Sequence, residues 1–232
     1  MFGIWNIEGA ANITFYALHS LQHRGQQGGG IVSTNRQRLR GYRNIGLLAE
    51  VFKDNGKLEK IAGSGALGAL WYSSGNSTNV HNIEPLLYKF NDGHLGIAMN
   101  GNLINAKTLR AKLEDAGAVF HSESHAEIIM HLIRRSRKKK IENRFKEALT
   151  KLEGSFSVIL LTQDSLIGAV DKHATRPLVL GKLDNSYTLA SESCAQNVIG
   201  ADFIRDISAG EMVIIDDDGY KMDKFTEPSD IA

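Results

Sequence analysis

Residues 156–170 read FSVILLTQDSLIGAV, two apolar runs separated by a four-residue polar connection. Residues 156–161 and 166–170 are each typical of a strand, because they are short, aliphatic and bounded by polar residues. The connection is too short for a crossover helix, so the two strands are predicted to be antiparallel neighbours.

The same alternation continues outward from this stretch. Further strands are predicted at 30–32, 95–98, 177–180, 187–190 and 212–215, and helices at 14–24, after Asn105, after Ser124 and at 141–152. The helices fall in two groups, and elsewhere strand follows strand. This order disfavours a regular parallel sheet and predicts an α+β fold with antiparallel sheets and helices packed outside them.

Capping signals support the helix boundaries. Gly25 is placed to end the first helix, and Asn105 to begin the second, which ends at Gly117. Ser124-x-x-Glu127 is a capping-box pattern ahead of an apolar stripe.

Bulk composition limits the function classes. The 232 residues are 42% hydrophobic and 23% charged, which is typical of an ordered globular chain. The net charge of +1 points to neither a nucleic-acid nor a membrane surface, and one cysteine allows no intrachain disulfide. We expect one cytoplasmic domain over 1–232, with a linker-like tail from about residue 221, no signal peptide and no membrane association.

Three local features resemble catalytic or metal sites without predicting one. Cys194 has no base that the sequence places beside it, so a small buried side chain is favoured. His19 and His23 have metal-ligand spacing on the predicted first helix but lack a third ligand, so no metal is expected. Residues 212–219 end in paired aspartates, and Asp218-Gly219 favours a hairpin turn over a phosphate-binding loop.

Residues 134–140 form a strongly basic run, RRSRKKK. Such a run can grip phosphates, which leaves a nucleic-acid-binding module as one alternative. Cations also stabilise the C-terminal end of the preceding helix. A solvated helix end is therefore favoured, and no nucleic-acid partner is expected.

Several motifs together resemble one family. Residues 16–26 read YALHSLQHRGQ and residues 98–105 read AMNGNLIN, with further matches at 84–86, 176–178, 190–195 and 210–212. These motifs are collinear and span nearly the whole chain. The chain resembles the glutaminase domain of the amidophosphoribosyltransferases, a class II glutamine amidotransferase of the N-terminal-nucleophile hydrolase type.

The resemblance implies a four-layer αββα sandwich of two antiparallel sheets, with residues 2–7 and 28–32 as inner strands near the site. It implies hydrolysis of glutamine to glutamate and ammonia, without metal or cofactor. In the family the ammonia passes to a phosphoribosyltransferase domain of purine synthesis. The partner expected for this chain is a full-length amidophosphoribosyltransferase or a second copy of itself.

The chain departs from the family pattern at the residues that carry the chemistry. The family's N-terminal cysteine nucleophile precedes the segment that aligns with 2–5, where Met1 stands at the third family position. Trp71 replaces the arginine that binds the substrate carboxylate, and His125 replaces the aspartate that binds its ammonium. The oxyanion-hole residues Asn100 and Gly101 remain, and so do the nucleophile-flanking residues Arg24 and Gly25.

We therefore predict a catalytically inactive glutaminase-like domain that does not bind glutamine. One alternative is an active ammonia-releasing subunit whose start codon is misassigned. That alternative explains the missing cysteine but leaves Trp71 and His125 unexplained.

Overall fold

A computed structural model describes residues 1–72, 79–90 and 93–229. Its first sheet has seven strands in the order β11-β9-β10-β1-β4-β2-β3. The bounds of these strands are β1 Phe2–Trp5, β2 Gly28–Thr34, β3 Leu39–Ile45, β4 Gly65–Trp71, β9 Val179–Leu183, β10 Ser186–Ala190 and β11 Asp202–Asp206. Every pairing in it is antiparallel.

The second sheet has six strands in the order β13-β12-β8-β7-β6-β5, again antiparallel throughout. Its strands are β5 Leu86–Phe90, β6 Gly93–Leu103, β7 Gly154–Leu161, β8 Leu166–Val170, β12 Glu211–Asp216 and β13 Gly219–Lys224. The predicted pairing within 156–170 is confirmed, with Leu161 opposite Leu166.

The helices lie in two groups outside the sheets. They are α1 Ala10–Ser20, α2 Leu48–Val51, α3 Asn55–Lys60, α4 Ala106–Asp115, α5 His125–Arg135, α6 Ile141–Leu149 and α7 Cys194–Asn197. None of the helices in the described ranges has the length and apolar composition needed to cross a bilayer.

Three apolar cores separate four layers. One lies between the sheets and includes Leu67 and Ile159. A second packs α1 against the seven-stranded sheet through Leu18, and the third packs α5 against the six-stranded sheet through Ile129. The layers confirm the αββα sandwich, and β1 and β2 are inner strands as expected.

Several predicted boundaries differ from the structure. The first helix starts at Ala10 and ends at Ser20, and a separate 3-10 turn Gln22–Arg24 follows, so His19 and His23 do not share one α-helix. The last predicted helix ends at Leu149, and the strand predicted from 177 begins at Val179.

Turn and cap details also differ. Ser124 caps α5 by accepting from the Ala126 N–H, but Glu127 does not complete a capping box, because its carboxylate accepts from the backbone of His121 and Ser122. The β12–β13 hairpin turns through residues 217–218, one residue earlier than predicted. Residues 221–224, placed in the tail from sequence, belong to β13.

Candidate functional site

The predicted site residues meet at one cavity of about 490 Å³. It opens between the end of β4, the second half of β6 and the start of α5. Its lining includes Arg24, Trp71, Asn100, Gly101 and His125. Five of the six residues singled out from the sequence therefore share one surface.

Gly25, the sixth residue, lies directly behind the cavity wall. A Cβ atom at this position would stand 2.9 Å from the backbone oxygen of Trp71. The chain is extended here, with φ of −174°. The close approach of the two backbones requires a glycine here, and this requirement does not depend on catalysis.

Asn100 and Gly101 lie on β6, opposite Ser157 and Phe156 of β7. The side-chain nitrogen of Asn100 is buried and makes no hydrogen bond to any described residue. An unpaired buried donor costs about 1–3 kcal/mol, so it is a ready partner for a ligand oxygen. Gly101 has φ of +121°, and a Cβ there would stand 2.0 Å from the Ser155 carbonyl oxygen.

Glu84 is a cavity residue that the sequence reasoning did not single out for the site. Its carboxylate accepts hydrogen bonds from the Met99 N–H at 2.6 Å and from the Ser124 hydroxyl at 2.5 Å. It thereby ties β6 to the first turn of α5. Burial raises the pKa of Glu84 to about 7, against the opposing effect of these two hydrogen bonds. Its place in the 84–86 motif was the only signal available in the sequence.

His125 is the first residue of α5, and its side chain is committed to a backbone contact. Its Nδ1 accepts a hydrogen bond from the Leu103 N–H at 3.2 Å. An accepting Nδ1 places the proton of a neutral imidazole on Nε2. Burial lowers the pKa of His125, so the ring is neutral at pH 7. The side chain has no negative charge to offer a ligand ammonium.

Trp71 ends β4 opposite Gly28, with its indole half-buried at the cavity. Among the described lining residues, Arg24 is the one arginine or lysine. Its guanidinium is hydrogen-bonded to the Glu192 carboxylate, which also pairs with His23 Nε2 at 3.0 Å. No uncommitted cation for a ligand carboxylate therefore remains among the described residues that line this cavity.

The start of β1 lies beside this ion pair. The Met1 amine is buried and donates to the Ser191 hydroxyl at 3.0 Å. Burial, and then the nearby Arg24, lower the pKa of this amine to about 5. Cys194 is partly buried, and its thiol donates to Glu192 at 3.6 Å. A thiol hydrogen-bonded to a carboxylate is not prepared to act as a nucleophile.

The residues of the basic run 134–140 differ in their contacts. Arg135 donates to the Ala116 carbonyl oxygen beyond the end of α4 and so has a structural role. Arg134, Arg137, Lys138, Lys139 and Lys140 are exposed. The described part of the chain contains no group of three or more potential metal ligands.

Comparison with known proteins gives a consistent result. Residues 77–196 match the glutamine amidotransferase domain family. The chain is 50% identical over 234 aligned residues to an amidophosphoribosyltransferase of Staphylococcus aureus (strain MRSA252), covering all of this chain and 47% of that protein. It thus spans about half the length of the curated relatives it matches.

Two solved structures share the fold. One is glutamine phosphoribosylpyrophosphate amidotransferase from B. subtilis, with a TM-score of 0.92 and 42% identity over 97% of this chain and 49% of the other. The second is described as the allosteric regulatory enzyme of purine biosynthesis, with a TM-score of 0.94 and 42% identity over 97% and 48% of the two chains. The predicted resemblance is confirmed.

Proposed function

Because this chain belongs to the glutamine amidotransferase domain family, we propose that it is a relative of the amidophosphoribosyltransferase glutaminase domain that no longer binds or hydrolyses glutamine. The observation that carries the proposal is the replacement of both charged side chains that the resemblance assigns to substrate binding, by Trp71 and His125. The family fold is retained around that cavity.

The carboxylate side of the site has lost its cation. Trp71 presents a neutral indole with a single N–H, where a guanidinium would present a charged fork. Arg24 does not compensate, since Glu192 already neutralises it. A glutamine carboxylate therefore loses a charge-assisted hydrogen bond of about 1.5–3 kcal/mol.

The ammonium side has lost its anion. His125 is neutral, and its accepting nitrogen is occupied by the Leu103 N–H. Protonation at lower pH would make the ring repel an ammonium. A second contact of about 1.5–3 kcal/mol is lost here.

One observation favours a second candidate, a domain that still hydrolyses glutamine. The unpartnered Asn100 amide is the donor expected of an intact oxyanion hole. An oxyanion hole accelerates hydrolysis, however, only when the scissile amide is held beside it.

A ladder of variants separates the two candidates. The first variant carries Cys-Gly-Val in place of Met1, the second adds Trp71→Arg, and the third adds His125→Asp. We expect no ammonia release from glutamine at the first step. The kcat/KM for ammonia release by the third variant should exceed that of the first by a factor on the order of 10² to 10⁴, because two substrate contacts are restored. Enzyme-like turnover with the cysteine alone would favour the second candidate.

We propose purine biosynthesis as the setting, because one of the solved relatives is described as the allosteric regulatory enzyme of purine biosynthesis. The proposed partner is a full-length amidophosphoribosyltransferase or a second copy of this chain. Co-purification of the tagged chain with each, followed by measurement of the complex mass, tests the proposal.

A further inference from the structure

We infer that a second cavity, at the other end of β6, binds a small aromatic phosphomonoester. This cavity measures about 250 Å³ and is lined by His94, whereas Asn100 lines the candidate site. The two positions are six residues apart along the strand, which corresponds to about 20 Å. The inference is therefore independent of the proposed loss of glutamine chemistry.

Positively charged side chains are among the described residues that line the cavity. Arg134 from the last turn of α5, Lys139 from the following loop and Arg144 of α6 all line it. The Arg144 Nε–H donates to the Lys138 carbonyl oxygen at 2.7 Å, which holds that side chain against the loop. Asp164 is the carboxylate among the described lining residues. Among the described lining residues, Arg134 and Lys139 supply two cationic groups for a doubly charged phosphate.

One cation is already oriented over the opening. The Arg134 guanidinium lies 5.5 Å from the centroid of the Phe90 ring. Stacking on an aromatic face fixes a planar guanidinium while its N–H groups remain available at the edge. Arg134 is exposed and forms no ion pair with any residue in the described ranges.

The inner side of the cavity is apolar. Phe90, Leu95, Ile133 and Ile141 line it. This surface offers a ring the dispersion contacts that inorganic phosphate cannot use. The volume is below the roughly 300–1,000 Å³ typical of sites for drug-sized ligands, which limits the occupant to about one ring and one phosphate.

His94 adds a polar atom without a partner. Its backbone N–H donates to Gln163 Oε1 at 2.8 Å, which fixes the residue at the cavity edge. Its Nδ1 is buried and makes no hydrogen bond within the described structure. Buried polar atoms are nearly always paired, so this nitrogen is an unfilled hydrogen-bonding position on a residue that lines the cavity.

The same geometry distinguishes a small ligand from a nucleic acid. Arg134 and Lys139 line the cavity, whereas Arg137 and Lys138 of the same basic run do not. A polyanion would contact the run as a whole and depend on all of its exposed cations. A small phosphomonoester depends only on those that line the cavity.

Calorimetric titration with phenyl phosphate, inorganic phosphate and phenol at low ionic strength tests the inference. Phenyl phosphate should bind at least about tenfold more tightly than either fragment. Arg134→Gln should weaken its binding about tenfold, through loss of a charge-assisted contact. The matched control Arg137→Gln changes an exposed cation of the same run and should alter the affinity less than about twofold.

Four outcomes would overturn the inference. They are no binding of phenyl phosphate, equal binding of inorganic phosphate, equal binding of phenol, and equal weakening by the two arginine variants. A single-stranded oligonucleotide that binds with equal dependence on Arg134 and Arg137, while phenyl phosphate does not bind, would assign the run to nucleic acid instead. Circular dichroism of both variants verifies that the fold is unchanged.

Discussion

The candidate cavity brings together two groups of residues that differ in their contribution to the fold. In the first group, Gly101 and Gly25 meet backbone atoms so closely that no side chain fits, and Arg24 is paired with Glu192. In the second group, Trp71 and His125 stand where the resemblance implies an arginine and an aspartate. The members of the first group are residues that the fold itself uses, whereas the retained Asn100 has an unpaired amide nitrogen.

A retained family residue does not by itself indicate a retained activity. A glycine kept for backbone clearance, or an arginine kept for an ion pair, persists whether or not catalysis does. The substrate-binding charges make no such contribution to folding. Their replacement is therefore the more informative observation about function.

The largest expected effect tests whether Gly101 has a structural role. Gly101→Ala should lower the free energy of unfolding by about 3 kcal/mol or more, because its Cβ would collide with the Ser155 carbonyl oxygen at positive φ. Gly117→Ala is the matched control, at φ of +83° with no atom within 4 Å, and should cost about 1 kcal/mol. If urea unfolding shows that both variants lose the same free energy of unfolding, Gly101 has no special structural role.

A smaller effect is expected from Glu84, which links β6 to Ser124, the N-cap residue of α5. Its pKa is about 7 in the folded chain against 4.5 in the unfolded chain. The folded state therefore holds the proton more strongly, and this contribution is complete below about pH 4.5 and is lost as pH rises to 7. The stability of the wild type relative to Glu84→Gln should fall by an amount on the order of 2 kcal/mol from pH 5 to pH 8.

Urea unfolding of both chains at the two pH values measures this change. Glu153→Gln, at an exposed carboxylate, is the control and should show a smaller dependence on pH. A wild type that gains stability relative to Glu84→Gln as pH rises would contradict the assigned burial of this carboxyl.

The sequence predicts the buried strands better than the edge strands. β7, β8 and β12 were found because their residues are almost all apolar. β13, GYKMDK, and β3, LRGYRNI, have largely exposed side chains and lie at sheet edges, so they lack the apolar pattern. Their assignment depends on pairing with a neighbour, which no local pattern encodes.

The resemblance predicted which residues form the site. It did not predict the hydrogen bonds and pKa shifts of those residues. The motifs placed Trp71 and His125 in one site, and the structure puts both at one cavity. The unpaired Asn100 amide, the link from Glu84 to Ser124 and the committed Nδ1 of His125 are all contacts between distant segments. Such contacts follow from the packed fold alone.

Titration calorimetry of the unmodified chain with glutamine measures whether the cavity still binds the substrate of the family. With Trp71 and His125 in place of the arginine and the aspartate, glutamine should give no binding heat at millimolar concentration. The Trp71→Arg/His125→Asp variant, titrated in parallel, should bind on the order of 10² to 10⁴ times more tightly than the unmodified chain. Submillimolar binding by the unmodified chain would contradict the proposed loss of binding, because it would show that the cavity still holds the substrate.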